Sequence, residues 1–100
     1  MKKIYSLTQG RHKIKDPRSG EEIKQSIFGK ELLMNIKGLE DFSQEFIDNN
    51  EDGEYEIFVT GFTPALTSFI KVAQMGQKIH HLTLWHYDSV ADTYRKQIMW

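Results

Sequence analysis

The sequence predicts an α/β domain organised around one strand–helix–strand unit, and three observations carry that reading. Residues 55–60, Y-E-I-F-V-T, form a short run rich in β-branched and aromatic side chains, as a buried strand does. Thr63 and Pro64 then stand where an N-cap and a first helical residue belong, and Leu66, Phe69, Ile70 and Ala73 follow at i, i+3, i+4 and i+7, one apolar helix face. Gly76 is placed to stop that helix, and residues 82–87, L-T-L-W-H-Y, give the next strand. A single helical crossover of this kind joins parallel strands in one sheet with a right-handed connection.

The remaining elements follow in order. Residues 2–7 read as a strand with Tyr5 and Leu7 on one side and Ile4 on the other. Within residues 12–27 the run Asp16-Pro17-Arg18-Ser19-Gly20 is a strong turn signal, because Pro presets φ and Gly accepts positive φ. Its flanks are polar with an occasional Ile, which predicts a projecting hairpin arm at about 11–28. Such an arm suits covering a ligand or reaching a second subunit, and equally suits a decoration without a role. Residues 31–37 are expected to be a strand, with Gly38 separating them from a helix over 39–49 whose apolar face is Leu39, Phe42 and Phe46. Glu40 and Asp41 would fall in its first turn, where acids favour the dipole. The rival is one helix over 30–48, with Gly38 tolerated inside at roughly 1 kcal/mol. Residues 93–100 alternate and pair antiparallel with 82–87 through a hairpin. The predicted order is β–(hairpin arm)–β–α–β–α–β–β in a single domain spanning 1–100. The two helices lie on one face of the sheet or one on each.

Composition bounds the function. No cysteine is present, which excludes disulfides and thiolate chemistry and fits a cytoplasmic setting. No apolar run approaches a membrane span, and the N-terminus lacks the apolar stretch of a signal peptide. The net charge of −1 argues against a nucleic-acid coat and against duplex DNA as a partner. The charge is segregated, however: residues 1–37 hold nine Lys or Arg against four acids, and residues 38–59 hold eight acids and no base. This reads as a basic face able to meet a polyanion, or as two solvated faces complementary across a self-association interface.

The turn Thr60-Gly61-Phe62-Thr63 lies at the carboxyl end of a parallel strand and at a helix N-terminus, where free N–H groups and the dipole favour an anion, phosphate above all. His86, Tyr87 and Asp88 end the neighbouring strand at the same edge, which is where open α/β sheets bind ligands. Thr60, Thr63 and Thr67 offer hydroxyls for phosphate or for a cap. His86 and Asp88 share a face, and a histidine there suits general acid or base work. His80 and His81 are adjacent and point apart, so no metal site or cofactor is expected. Trp85 and Trp100 are expected in the core or an interface. No Walker loop, dinucleotide fingerprint or nucleophile elbow is present.

With I-F-V-T-G-F-T-P-A-L (57–66) and L-W-H-Y-D (84–88) the chain resembles the small CRISPR-associated proteins of the Rossmann-like superfamily, and among them the compact ring-nuclease-like members. The resemblance implies a small Rossmann-like mixed sheet in a dimer or higher oligomer, here expected as a homodimer, that binds a cyclic oligoadenylate second messenger. It would act as a sensor, a sponge or a slow metal-independent ring nuclease, in antiviral defence or its evasion. It also implies that Thr60, Gly61, Phe62 and Thr63 form the phosphate-facing loop and that Asp88 matches the acid closing the Y-D motif. On that reading Arg11 or His12 assists from the arm and His86 is the acid or base. Ser89 and Val90 stand where the pattern has a basic residue, and the helix lacks the pattern's histidines, so cleavage is less supported than binding. The alternative is a non-catalytic protein–protein module, a defence-system or phage adaptor, working through its acidic helix or basic arm.

Overall fold

The computed structural model describes residues 2–9, 13–29 and 35–100. Its elements are β1 (Lys2–Thr8), β2 (Ser26–Phe28), α1 (Ile36–Asp48), β3 (Gly53–Phe58), α2 (Thr63–Met75), β4 (Ile79–Asp88) and β5 (Thr93–Ile98). The strands form one mixed sheet in the order β2-β1-β3-β4-β5. All neighbours are parallel except β4 and β5, which form the expected antiparallel hairpin. The fold is therefore α/β, with five strands and two helices among the described residues, compatible with a small Rossmann-like sheet. The central β3–α2–β4 unit is present in the predicted order, with β3 beginning and ending two residues before 55–60 and β4 beginning three residues before 82–87.

Strand alternation divides the side chains between two faces. Tyr5, Leu7, Tyr55, Ile57, Leu82 and Leu84 point to one face and pack with Leu39, Ile47, Ala65, Phe69 and Ala73 of the helices. Both helices thus cover the same face and lie against each other. Ile4, Phe58 and Trp85 point the other way and pack with Ile14, Ile23 and Tyr94. Phe58 stacks on Trp85 with centroids 5.4 Å apart, and the edge of Tyr94 closes on Phe58 at 5.0 Å.

Three expectations are corrected. The arm does not project: it folds across the second face of the sheet, burying Ile14 and Asp16. Its turn is where Asp-Pro-x-x-Gly predicts, closed by Gly20 N–H to the Asp16 carbonyl at 2.7 Å, with Gly20 at φ 77° and Lys15 bridged to Glu22. What holds it down is a charge network with a partner 38 residues away. The second correction concerns the strand expected over 31–37. Residues 31–34 lie outside the described residues, and Ile36 and Lys37 are helical. Asn35 caps α1 through Oδ1, which accepts from Gly38 N–H at 2.8 Å, so Gly38 lies inside the first turn and Glu40 and Asp41 fall beyond it. The second strand is instead Ser26–Phe28, at the end of the predicted arm. Third, Phe62 rather than Thr63 occupies the N-cap of α2, with Thr63 and Pro64 inside the helix.

Direction of travel explains the arm's position. From β2 to β3, passing over β1, and from β3 to β4 the chain moves one way along the sheet through helices on one face. From β1 to β2 it moves the opposite way. A connection of the same hand must then cross the other face, where the arm lies. The reversal of direction falls between β1 and β3.

Candidate functional site

In an open α/β sheet the point where strand order reverses leaves a crevice at the carboxyl ends of the two strands concerned. Here those ends are Thr8 of β1 and the Thr60–Thr63 loop after β3. One hydroxyl ties them together. Thr60 Oγ1 accepts from Thr8 N–H at 2.9 Å and from the Thr8 hydroxyl at 2.8 Å, and donates to the Thr8 carbonyl at 3.0 Å. A side chain thus supplies the rung that the sheet ladder would make next. The Thr60 hydroxyl is committed to the protein and is not available to a ligand. Thr60→Val leaves the partly buried Thr8 N–H and carbonyl unpaired. It should cost about 1–2 kcal/mol and lower the Tm by about 5–10 °C, measured by calorimetry.

Beyond that rung the chain turns sharply. Phe62 N–H donates to the Thr60 carbonyl at 2.8 Å around Gly61, whose φ of +48° lies in the left-handed region that glycine adopts without penalty. Space around Gly61 is open, so a larger residue there would be opposed by backbone strain rather than by a clash. Phe62 has no side-chain acceptor to cap α2, and its ring is partly exposed. Thr67, in contrast, spends its hydroxyl on carbonyls one turn back, at Thr63 and Pro64.

The neighbouring strand reaches the same edge, since Val59 N–H donates to the Trp85 carbonyl at 2.9 Å. His86 lies across from Arg95 and meets Gln97 Oε1 through Nε2 at 2.9 Å. With Gln97 accepting from Nε2, the imidazole lone pair is on Nδ1. Asp88 Oδ2 accepts from Arg95 Nε at 2.6 Å, and Oδ1 caps the hairpin turn through Val90 and Ala91 N–H at 3.0 and 3.3 Å. The bond from Arg95 holds its carboxyl below the ordinary aspartate range. Asp88 is therefore engaged by its own hairpin. Arg11 and His12 lie outside the described residues. Trp85 is core, and Trp100 is half-buried with its N–H on the Ile79 carbonyl.

The sequence reading did not anticipate the charge network under the arm. Arg18 makes paired bonds to Asp16, from Nε at 3.0 Å and Nη2 at 2.8 Å, and to Glu56, from Nη1 at 3.2 Å and Nη2 at 2.6 Å. Its guanidinium lies over the Trp85 ring, 4.7 Å from the centroid, and Trp85 Nε1 donates to Glu56 at 2.8 Å. Lys2 Nζ adds an ion pair to Glu56 at 3.3 Å. Both carboxylates are 4 % exposed. The bonds from Arg18 lower Asp16 against the opposing effect of burial. For Glu56 burial is the largest influence and pushes upward, but the bonds from Arg18, Trp85 and Lys2 together outweigh it and the carboxyl is lowered. The one legible signal was Glu56, an acid set between Tyr55 and Ile57 in the run expected to be a buried strand. This network, with Lys3 to Glu51 at 3.9 Å, turns part of the charge segregation along the chain into contacts within it.

No helix among the described residues is long and apolar enough to cross a membrane. No protein-family model, curated protein or solved structure matches the chain.

Proposed function

We propose that this chain binds a nucleotide-derived anion at the carboxyl edge of its sheet, most concretely a cyclic oligoadenylate second messenger. The observation that carries the reading is that α2 opens at the strand-order reversal behind a glycine turn, with a capping residue that has no side-chain acceptor; Pro64 has no N–H and the Ala65 and Leu66 N–H groups bond to the Phe62 carbonyl, so the Thr63 N–H is the donor left at the helix start. An anion on that N–H also meets the positive end of the helix dipole. Phe62, exposed beside it, gives an apolar surface to a base. A ring of repeated nucleotide units presents the same face more than once, which suits a homodimer. The setting is CRISPR-type antiviral defence or its evasion, as sensor or sponge.

If the ring is cut, a ribose 2′-hydroxyl gives its proton to His86 Nδ1 and attacks the adjacent phosphorus. The 5′-oxygen of the next nucleotide leaves and takes up a proton, giving a 2′,3′-cyclic phosphate and a 5′-hydroxyl. Gln97 holds the imidazole from its other nitrogen.

Incubation with cyclic tri-, tetra- and hexa-adenylate, with and without divalent metal, tests both parts. The expected result is a rise in Tm with one ring size, on the order of 10 °C at a hundredfold excess over Kd. That rise should be lost in the double variant Gly61→Val, Thr63→Ala. Linear product on chromatography, lost in His86→Ala, would add the enzymatic step. No shift with any ring would overturn the reading and move attention to the protein–protein alternative, tested by charge reversal along residues 40–48.

A further inference from the structure

The arm, held flat by Arg18, forms one wall of a groove whose other wall is the β4–β5 hairpin. The groove has a volume of about 510 Å³ and is lined by Lys13, Ile14, Tyr87, Asp92 and Tyr94. A second hollow of about 360 Å³ adjoins it and adds Lys15, Pro17, Gly20, Thr93 and Asp16, whose carboxylate is already held by Arg18. Both volumes fall in the range of small-molecule sites. The groove opens on the arm face of the sheet, whereas α2 begins from the helix face.

Each wall has a distinct chemistry. On the hairpin side Tyr87 is 53 % exposed, a large aromatic surface left to solvent. It is not free to turn away: its hydroxyl donates to Asp92 Oδ1 at 2.6 Å, and its ring sits edge-on to Tyr94 at 5.5 Å. On the arm side Lys13 and Lys15 are two residues apart on an extended segment, so they project the same way. The Lys13 side chain is 78 % exposed, and its contact to Glu22 is a long 3.7 Å. The acid in the groove, Asp92, already accepts the Tyr87 hydroxyl through one oxygen, which leaves Oδ2 for a ligand amine.

We infer that this groove is a binding site for a nucleoside monophosphate with an amino-bearing base, the base lying on Tyr87 and the phosphate on Lys13 and Lys15. The two walls come from segments far apart in sequence, and the buried Asp16–Arg18–Glu56 network fixes one against the other. Replacing such a network by apolar side chains is often neutral or stabilising, so a network of this kind is better explained by the position it enforces than by stability. Pre-positioning both walls lowers the ordering cost of binding. The site stands or falls separately from the Thr60–Thr63 loop.

The probe is AMP, with adenosine and ribose 5-phosphate as the ring-only and phosphate-only controls. Binding is followed by amide chemical shifts of the whole chain and by calorimetric titration. The expected result is saturable shifts at Lys13, Lys15, Tyr87 and Tyr94, with AMP at least tenfold tighter than either control. Tyr87→Leu should weaken AMP by roughly 5- to 100-fold through lost stacking. Lys13→Glu with Lys15→Glu should weaken it by about tenfold or more, and AMP affinity should fall with added salt in the wild type but not in that variant. All three positions are at the surface, so the variants should keep the wild-type Tm. Three results would overturn the inference: no saturable shifts, shifts confined to residues 60–63, or equal affinity for AMP and the controls.

Discussion

Arg18→Ala should lower the Tm by about 10–20 °C at pH 7, an unusual loss for a residue whose side chain is 42 % exposed. The cause lies in its partners. Among the described residues, removing the guanidinium leaves Asp16 buried with only the backbone N–H of residue 18, and Glu56 buried with Lys2 and the Trp85 N–H. An uncompensated buried charge costs about 3–5 kcal/mol. The exposure of Arg18 screens part of that, so about 2–4 kcal/mol is expected. The pH dependence then separates this cause from lost packing on Trp85. In the wild type both carboxyls titrate below their unfolded values. Their contribution is complete above about pH 4.3, the ordinary glutamate value, and fades as pH falls through the lower folded values. In the variant the two carboxyls lose the partner that lowered them, and protonation then relieves repulsion and burial. Wild-type and variant melting points should therefore converge between pH 7 and pH 4. Adding Glu56→Gln to Arg18→Ala should recover stability at pH 7, because a neutral amide keeps a carbonyl for the Trp85 N–H. Amide exchange should quicken first across Ile14–Ile23, the arm, before the rest of the sheet. A loss below about 3 °C, or a gap that widens in acid, would show that the network does not hold the arm.

That network also marks where sequence reasoning stops. The β3–α2–β4 unit was legible because its signals are local: a β-branched run, a proline one residue into the helix, a glycine at the end. The same holds for the Asp16–Gly20 turn and the β4–β5 hairpin. The strand Ser26–Phe28 was not legible, since three residues are too few for alternation and its support is parallel pairing with Ser6 and Thr8, twenty residues back. The start of α1 was missed because Gly38 was read as a break, whereas Asn35 three residues earlier caps the first turn and lets the helix carry the glycine. In the site the loop Thr60–Thr63, His86 and Asp88 reach one edge as topology requires. What each side chain does there was hidden. Thr60 pairs with Thr8 across 52 residues, and Asp88 pairs with Arg95 of the next strand. Long-range partners of polar groups follow from strand order, which local patterns do not encode.

On the helix face the controlling interaction is apolar, and Phe69→Ala should show it. Phe69 is fully buried in the middle of α2 and packs edge-on to Phe46 of α1 with centroids 6.2 Å apart. It links both helices to the sheet, so truncation leaves a cavity with walls on three elements that cannot collapse together. Such substitutions cost about 3–5 kcal/mol. For a domain of this size total stability is on the order of 5–15 kcal/mol, so roughly a fifth or more would be lost. Urea unfolding should show the midpoint falling with an unchanged slope. Phe69→Leu, which refills most of the volume, should recover more than half of the loss. The kinetic signature should differ from that of Arg18→Ala: exchange should accelerate together in β1, β3, β4 and both helices, because this core unites them, rather than in the arm alone. The two faces would then be held by different physics, one by a cooperative apolar core and the other by a charge network fastening a strap. A loss below 2 kcal/mol, or faster exchange limited to α2, would mean that α2 is not anchored to the sheet through this ring. The helix N-terminus at the sheet edge would then lack the rigid support that a binding site there requires.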